Sequence, residues 1–153
     1  MTTHIHYPNY PITPAIKAIY RASNNNLTTF RKNGTPVSTP VTCAEHDGVI
    51  YFSTGADSGK VKRIRRTPHV SVAPCTARGR ETGEAVEAHA HIITDVAETY
   101  KAKGALQSKY GLRRQTAYAL MRLVQIMRRQ PEVQQIYVAL EFFDEHTHHH
   151  THD

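Results

Sequence analysis

Alternating and helical patterns of apolar residues divide the chain into short strands and a few helices. The clearest alternation places Val86, Ala88, Ala90 and Ile92 on one face with polar residues between them, which predicts a strand with one buried face over 85–93. β-Branched and aromatic residues predict five further strands. These cover residues 27–31, 37–43, 49–54, 69–75 and 133–143.

Turn-forming residues separate the predicted strands. The pairs Asn33-Gly34 and Asp47-Gly48 are strong signals for tight hairpin turns. The three asparagines at 24–26 predict a polar turn before the first strand. Pro40 lies inside a predicted strand and removes one backbone donor, so we expect an edge strand, a bulge, or a place where another group occupies the sheet face.

Capping residues and helical spacing predict four helices. The first covers 14–20 after Thr13, and the second covers 58–67 and stops before Pro68. A third begins at Asp95 and ends at Gly111. The fourth, over 115–130, has an apolar stripe whose spacing predicts a face buried in the core or in a dimer interface. The stripe consists of Ala117, Leu120, Met121, Val124 and Met127.

The order of these elements predicts the fold class. Six strands with mostly antiparallel connections and interspersed helices favour a mainly β, α+β fold: a six-stranded antiparallel split β-barrel with flanking helices. A chain of 153 residues is long enough for one domain with its own core, which we assign to 1–145. The remaining residues, 146–153, read HTHHHTHD and predict a disordered, histidine-rich tail.

Composition and charge narrow the classes of function. Lysine and arginine total 19 against 13 acidic residues, a net charge of +6 that attracts anionic small molecules or nucleic acid. Zinc-finger spacing and RNA-binding strand motifs are missing, so we expect no nucleic-acid partner; a nucleic-acid-binding barrel remains a third hypothesis that predicts strongly salt-dependent binding. No apolar run is long enough for a membrane, no secretory signal is visible, and Cys43 and Cys75 fit a reduced cytoplasmic protein.

The segment 53–66, STGADSGKVKRIRR, carries the most specific chemistry. Ser58 is a good N-cap, and Gly59 lets a ligand approach the backbone closely. The free N–H groups of a helix start, together with Lys60 and Arg63, suit a phosphate or a carboxylate. A capped surface helix with a solvated basic face is the alternative interpretation.

Three motifs in order resemble the pyridoxamine-phosphate-oxidase-like split β-barrel superfamily, and most closely its branch of deazaflavin-dependent enzymes. They read TTFRKNGTPVSTPV, ADSGKVKRIRRTPHV and APCTARGRETG and lie within about half of the chain. The resemblance implies a homodimer with FMN or a deazaflavin coenzyme of the F-420 type in each cleft between protomers. It is specific for the family and does not define the substrate.

The resemblance also implies the residues that bind the cofactor. The family's residues beside the flavin ring correspond to Thr39, Pro40, Val41 and Thr42 of this chain. Those that hold the phosphate correspond to Ser53, Thr54, Ser58, Gly59 and Lys60, with Arg63 adding charge, and the end of a neighbouring strand supplies Pro74 and Cys75. The anionic polyglutamate tail of a deazaflavin would suit Lys60, Lys62, Arg63 and Arg66.

One departure from the family argues against oxidation of pyridoxamine phosphate. True oxidases read RMVLLK where this chain has Thr39 to Ala44, so both cations are missing, as is the C-terminal arginine-leucine-histidine signature. The resulting hypothesis is an oxidoreductase that transfers hydride between the bound cofactor and an enone, quinone or tetrapyrrole. A non-catalytic FMN-binding or cofactor-sequestering protein is the alternative.

Catalytic groups are not defined by the sequence. Tyr51 and His69 are candidate proton donors, although each is more typical of a structural residue. His89 and His91 share one strand face, but two ligands make a poor metal site, so we expect no metal.

Overall fold

The computed structural model describes residues 11–128 and 134–143, with residues 112–115 described by their backbone alone. The first helix, α1 (Pro14–Arg21), begins as predicted at Thr13, whose Oγ1 accepts a hydrogen bond from the Ile16 N–H at 3.2 Å. Its apolar side chains, Ile16 and Ile19, are buried in the main core. This helix therefore packs against the interior of the sheet that follows.

Seven antiparallel strands form one curled sheet in this part of the chain, in the order β2-β1-β5-β6-β7-β4-β3. The predicted count of six was one too few, because the short strand β3 was missed. The strands are β1 (Asn24–Phe30), β2 (Pro36–Val41), β3 (Ala44–His46), β4 (Val49–Gly55), β5 (His69–Cys75), β6 (Val86–Ile92) and β7 (Gln135–Phe142).

The connection between β2 and β3 explains why the sheet curls. These two strands lie at opposite edges of the sheet, yet only Thr42 and Cys43 separate them in sequence. Three Cα–Cα steps span at most about 11 Å, so the two edges must approach each other at this corner. The result is a half-barrel closed on one side, which confirms the predicted split barrel. Pro40 lies on the edge strand β2, as expected.

The interior of the half-barrel is the main apolar core. Leu27, Phe52 and Val72 are fully buried there, together with Val138 and Leu140 of β7. Cross-strand neighbours share a face, so the register assigns the alternate residues of each strand to the outer face. A second cluster on that outer face packs the first part of α3 against β4 and β7.

Two further helices complete the described fold. Helix α2 (Gly59–Arg66) follows β4 and buries Val61 and Ile64. Helix α3 (Val96–Met127) is capped by Asp95 and bends sharply at Gly111, where φ is 49° and ψ is −133°. The predicted break at Gly111 therefore appears as a kink between two helical halves.

Lys109 of α3 fastens three parts of the fold together. Its Nζ donates to the backbone carbonyls of Tyr20 at 3.0 Å, Ala22 at 2.7 Å and Cys43 at 2.7 Å. The carbonyls at the end of a helix lack hydrogen-bond donors within the helix. At the end of α1, the Lys109 ammonium is the donor to these carbonyls. Tyr110 adds a hydroxyl 2.9 Å from the Cys43 carbonyl.

The predicted polar turn at 24–26 was wrong. The asparagines at 24–26 begin β1 instead of forming a turn: the Asn25 Nδ2 donates to the Ile19 carbonyl at 3.1 Å, and the Asn26 Nδ2 donates to the Gly79 carbonyl at 2.7 Å. The apolar stripe of α3 is not buried in the core of the single chain, where Leu120, Met121 and Met127 are between 59% and 76% exposed, so a dimer interface stays the prediction for it. The predicted tail, 146–153, lies outside the described residues.

Candidate cofactor site

The turn from β4 into α2 forms the first part of the site. The Ser58 Oγ accepts from the Val61 N–H at 3.4 Å and from the Thr54 hydroxyl at 3.2 Å, so the predicted N-cap is present. The next two N–H groups, those of Gly59 and Lys60, precede the first residue that can find an acceptor inside the helix. The first turn has no acidic residue. This helix start is therefore suited to an anion.

Two cations lie at the same helix start. The Arg63 Nε donates to the Thr29 Oγ1 of β1 at 2.6 Å, which ties α2 to the sheet. A Cβ on Gly59 would lie 2.7 Å from the Arg63 Nη1, so the guanidinium rests against the glycine backbone. Burial, and secondarily the charge of Arg63, lowers the pKa of Lys60. An anion placed between them would offset this repulsion.

A second group of predicted residues meets around the beginning of β1. Asn25 pairs with Val41 on one side and with Pro74 on the other, and Asn24 pairs with Cys75. The structure thus brings the end of β2, where Pro40 and Thr42 also lie, next to the end of β5. Burial raises the pKa of the Cys75 thiol, with a smaller contribution from Glu81. The thiol is therefore not activated as a nucleophile.

Strand β1 connects the two groups. Asn25 lies beside the second group, and Thr29 is hydrogen-bonded to Arg63 of the first. A strand rises by about 3.3 Å per residue, so Asn25 and Thr29 are roughly 13 Å apart. Thr39 lies between them, paired with Leu27, and its buried Oγ1 has no hydrogen-bond partner among the described residues. An extended ligand would be needed to contact both groups, and Thr39 offers it an unused polar atom.

Ser53 faces a different space from the other predicted residues. It pairs with Tyr137 on the outer face of the sheet and lines a cleft of about 760 Å³ between that face and the kinked helix α3. Of the twelve predicted binding residues, Ser53 is the one found among the described residues that line this cleft. The cleft and the helix start of α2 are therefore neighbouring features on either side of β4.

The two candidate proton donors have surroundings that do not favour proton transfer. Tyr51 is 3% exposed beneath α3, and burial raises the pKa of its phenol to about 12. The His69 ring stacks with Phe30 at 6.1 Å and with Phe143 at 5.7 Å between centroids, on the outer face. Neither arrangement favours a general acid.

The paired histidines of β6 have separate surroundings. The His91 Nε2 lies 3.1 Å from the Glu98 Oε1 of α3, whereas the His89 ring packs edge-on against Phe143. Among the described residues, no three histidine, cysteine or acidic side chains converge as metal ligands. These histidines join β6 to neighbouring elements.

Sequence reasoning missed two polar residues that shape the site. Thr29 positions Arg63, and Asn26 holds the Gly79 backbone beside Pro40. The partners are 34 and 53 residues apart in sequence, so no local pattern identifies them. The only available signal was that polar residues interrupt a strand that should be apolar.

The curled antiparallel sheet, with a capped basic helix directly after β4, defines a split-barrel protein. The chain belongs to the pyridoxamine 5'-phosphate oxidase family, whose sequence profile matches residues 12–140. This confirms the resemblance found in the three motifs. No curated protein is significantly similar to the chain.

Solved structures share the fold at low sequence identity. A conserved hypothetical protein from Mycobacterium tuberculosis is 20% identical with a TM-score of 0.57, the match covering 89% of this chain and 87% of that one. The haem storage protein HutZ from Vibrio cholerae is 11% identical with a TM-score of 0.58, covering 84% and 87%. A protein named as an F420 reductase is 15% identical with a TM-score of 0.51, covering 86% and 94%.

None of the helices in the described part of the chain has a stretch both long and apolar enough to span a bilayer.

Proposed function

We propose that the protein is an oxidoreductase that binds FMN or a deazaflavin coenzyme and transfers hydride between it and an unsaturated organic substrate. The observation that carries this proposal is the start of α2, where two N–H groups without helix acceptors, Lys60 and Arg63 meet around a glycine. Flavin and deazaflavin coenzymes share an anionic phosphate that such a site suits. When bound, the coenzyme supplies the hydride chemistry.

The residues of this chain have separate tasks in that proposal. Gly59 and Lys60 bind the phosphate through their N–H groups, and Lys60 and Arg63 neutralise it. Thr39 donates or accepts through its unpartnered hydroxyl midway along the site. The buried pair Val41 and Pro74 provides apolar surface that keeps water from the far end.

Similarity to other proteins supports a cofactor-binding role without choosing the cofactor. The fold is shared with a protein named as an F420 reductase and with one named as a haem storage protein. Thr39 and Ala44 replace the cations of true pyridoxamine phosphate oxidases, so the proposal excludes that substrate. The candidate substrates are enones, quinones and tetrapyrroles.

A homodimer is part of the proposal. The second half of α3 exposes apolar side chains that a single chain leaves in water, among them Leu120 at 64% and Ile126 at 58%. Surface of this kind is typical of protein interfaces. A second copy of the chain would cover it and would complete a cleft between protomers. The two buried, unlinked cysteines agree with a cytoplasmic location.

A second candidate function is cofactor storage without catalysis. It is favoured by the surroundings of the two candidate proton donors: Tyr51 is buried beneath α3 with a raised pKa, and His69 is stacked between two phenylalanines. A protein that binds the coenzyme tightly but offers no proton donor would sequester it. The two functions differ in turnover and not in binding.

The test is titration of the purified protein with FMN, the deazaflavin coenzyme and haem, followed by turnover assays with the three substrate classes. Lys60→Ala should weaken binding of the true coenzyme about tenfold, because it removes a charge-assisted contact. Lys62→Ala is the matched control, since Lys62 is exposed on the same helix.

Each result has a defined meaning. Tight binding with turnover supports the oxidoreductase, and tight binding without turnover across the panel supports storage. Equal affinities for Lys60→Ala and Lys62→Ala would show that the phosphate is held elsewhere. Haem binding alone would exclude the flavin proposal.

A further inference from the structure

We infer that the cleft between α3 and the outer face of β4 and β7 is a separate binding site for a flat, mainly apolar organic anion. Its volume of about 760 Å³ lies within the range of sites for small molecules. Its walls come from three parts of the fold: the sheet, the first half of α3, and the second half of α3 beyond the Gly111 kink.

The apolar walls define the shape of the ligand. On the sheet side, Tyr137 and Ile136 are half-buried, and Ile93 continues the wall. On the opposite side, Tyr118 and Met121 are 50% and 59% exposed and face the same space. Aromatic rings and a flexible thioether on facing walls suit a planar ring system.

A polar stripe along α3 defines the charge of the ligand. Thr99, Lys103 and Gln107 are spaced four residues apart, so they lie on one face of the helix, and all three line the cleft. The Lys103 Nζ lies 6.0 Å from the centroid of the Tyr137 ring and 6.0 Å from that of Tyr100. The lining residues that the structure describes include this cation and no carboxylate. A carboxylate or sulfonate on the ligand would therefore find a partner at Lys103.

Gly111 makes this arrangement possible. Its positive φ turns the second half of α3, so that Ala117, Tyr118 and Met121 reach the cleft that the first half opens. Lys103 and Met121 are eighteen residues apart and would be separated by about 27 Å along the axis of a straight helix. A straight helix could therefore not place both residues in one compact cleft. The kink is thus the feature that builds the cleft.

The class of ligand follows from the cleft alone, whereas its position relative to the coenzyme rests on the proposed function. Ser53 lines the cleft and also belongs to the residues predicted to bind the coenzyme. If the coenzyme binds at the start of α2, the cleft holds its ligand on the other side of β4.

The test uses two fluorescent probes of nearly equal shape, with the protein free of coenzyme. The anionic probe is 8-anilinonaphthalene-1-sulfonate, and the neutral one is N-phenyl-1-naphthylamine, which lacks the sulfonate. Lys103→Gln should weaken binding of the anionic probe about fivefold and leave the neutral probe unchanged. Lys101→Gln, an exposed lysine on the same helix that does not line the cleft, is the charge control.

A second pair of variants locates the probe. Ala117→Trp fills the cleft and should abolish binding of both probes, whereas Ala85→Trp, the same substitution at an exposed alanine outside the cleft, should not. Equal weakening of both probes by Lys103→Gln would overturn the inference. So would unchanged binding in Ala117→Trp, or loss of binding as protein concentration rises, which would mean that a second copy fills the cleft.

The outcome is independent of the coenzyme titrations. If the probes behave as expected while neither FMN nor the deazaflavin coenzyme binds, the cleft site stands and the proposed function fails. If the coenzyme binds and the probes do not, the proposed function stands and the cleft site fails.

Discussion

Lys109 offers the sharpest test of how this fold is held together. Replacing it with methionine keeps most of the apolar stem and removes all three donors. The carbonyls of Tyr20 and Ala22, at the end of α1, then lose the donor they have in the structure. The Cys43 carbonyl also loses its hydrogen bond from Lys109, but it still accepts from the Tyr110 hydroxyl at 2.9 Å, which compensates for that loss.

The size of the effect follows from these contacts. Hydrogen bonds from a charged donor contribute about 1.5 kcal/mol or more each, and two are lost without replacement. Lys109→Met should therefore lower the free energy of unfolding by about 3 kcal/mol. Burial lowers the pKa of Lys109, so the ammonium is partly desolvated in the folded protein. The methionine variant avoids this cost, and about 3 kcal/mol is therefore the upper limit of the expected loss.

The measurement is urea unfolding followed by circular dichroism, at one fixed protein concentration for all variants. Lys101→Met, on the exposed face of the same helix, should change the free energy of unfolding by less than about 0.5 kcal/mol. Tyr110→Phe should cost about 1 kcal/mol. A loss below 1 kcal/mol in Lys109→Met, with an unchanged slope in urea, would refute the idea that this ammonium fastens α1 to the β2–β3 corner.

Three further predictions concern glycines, ionisation and assembly. Gly83→Ala should lower the free energy of unfolding by about 1–3 kcal/mol, because the added Cβ would lie 2.6 Å from the Pro74 ring. Gly104→Ala, in open space within α3, should raise the free energy of unfolding by up to about 1 kcal/mol. Urea unfolding measures both changes. The Tyr51 phenol ionises near pH 10 in the unfolded chain and near 12 in the folded one, so stability present below pH 10 is lost as pH rises toward 12. Between pH 10 and 11 the wild type should lose about 1 kcal/mol more than Tyr51→Phe, and parallel curves would contradict this. Leu120→Glu should convert a dimer into monomers in light scattering, and a monomeric wild type would already disprove the proposed assembly.

The strands that carry clear local signals were predicted well. The Asp47-Gly48 turn is present with φ values of 51° and 83°, and the strands over 69–75 and 86–92 have the expected bounds to within one residue. Strand β3 was missed because only three residues form it and its stability comes from pairing with β4. The asparagines at 24–26 were misassigned because the carbonyls that accept from Asn25 and Asn26 belong to other parts of the fold, α1 and the loop after β5.

For the site, the sequence identified local features better than spatial ones. The Ser58 cap and the glycine at the helix start were visible because capping depends on adjacent residues. The contact of Arg63 with Thr29 and the cleft beside Ser53 depend on how α2 and α3 pack, which no periodicity encodes. The spacing of the α3 stripe predicted a helix, which is present as far as Met127, but spacing cannot say whether the same chain or another covers the apolar residues.

The order of strands in the sheet has a consequence for how the polypeptide reaches its native state on the ribosome. Of the strands in the described part of the chain, β7 is the last to be synthesised, yet it lies between β6 and β4 and pairs with both. Until it emerges, the hairpin of β3 and β4 has no hydrogen-bonded strand neighbour in the rest of the sheet. Productive closure must therefore wait until β7 has been synthesised, and fragments ending before residue 135 should remain prone to aggregation and degradation.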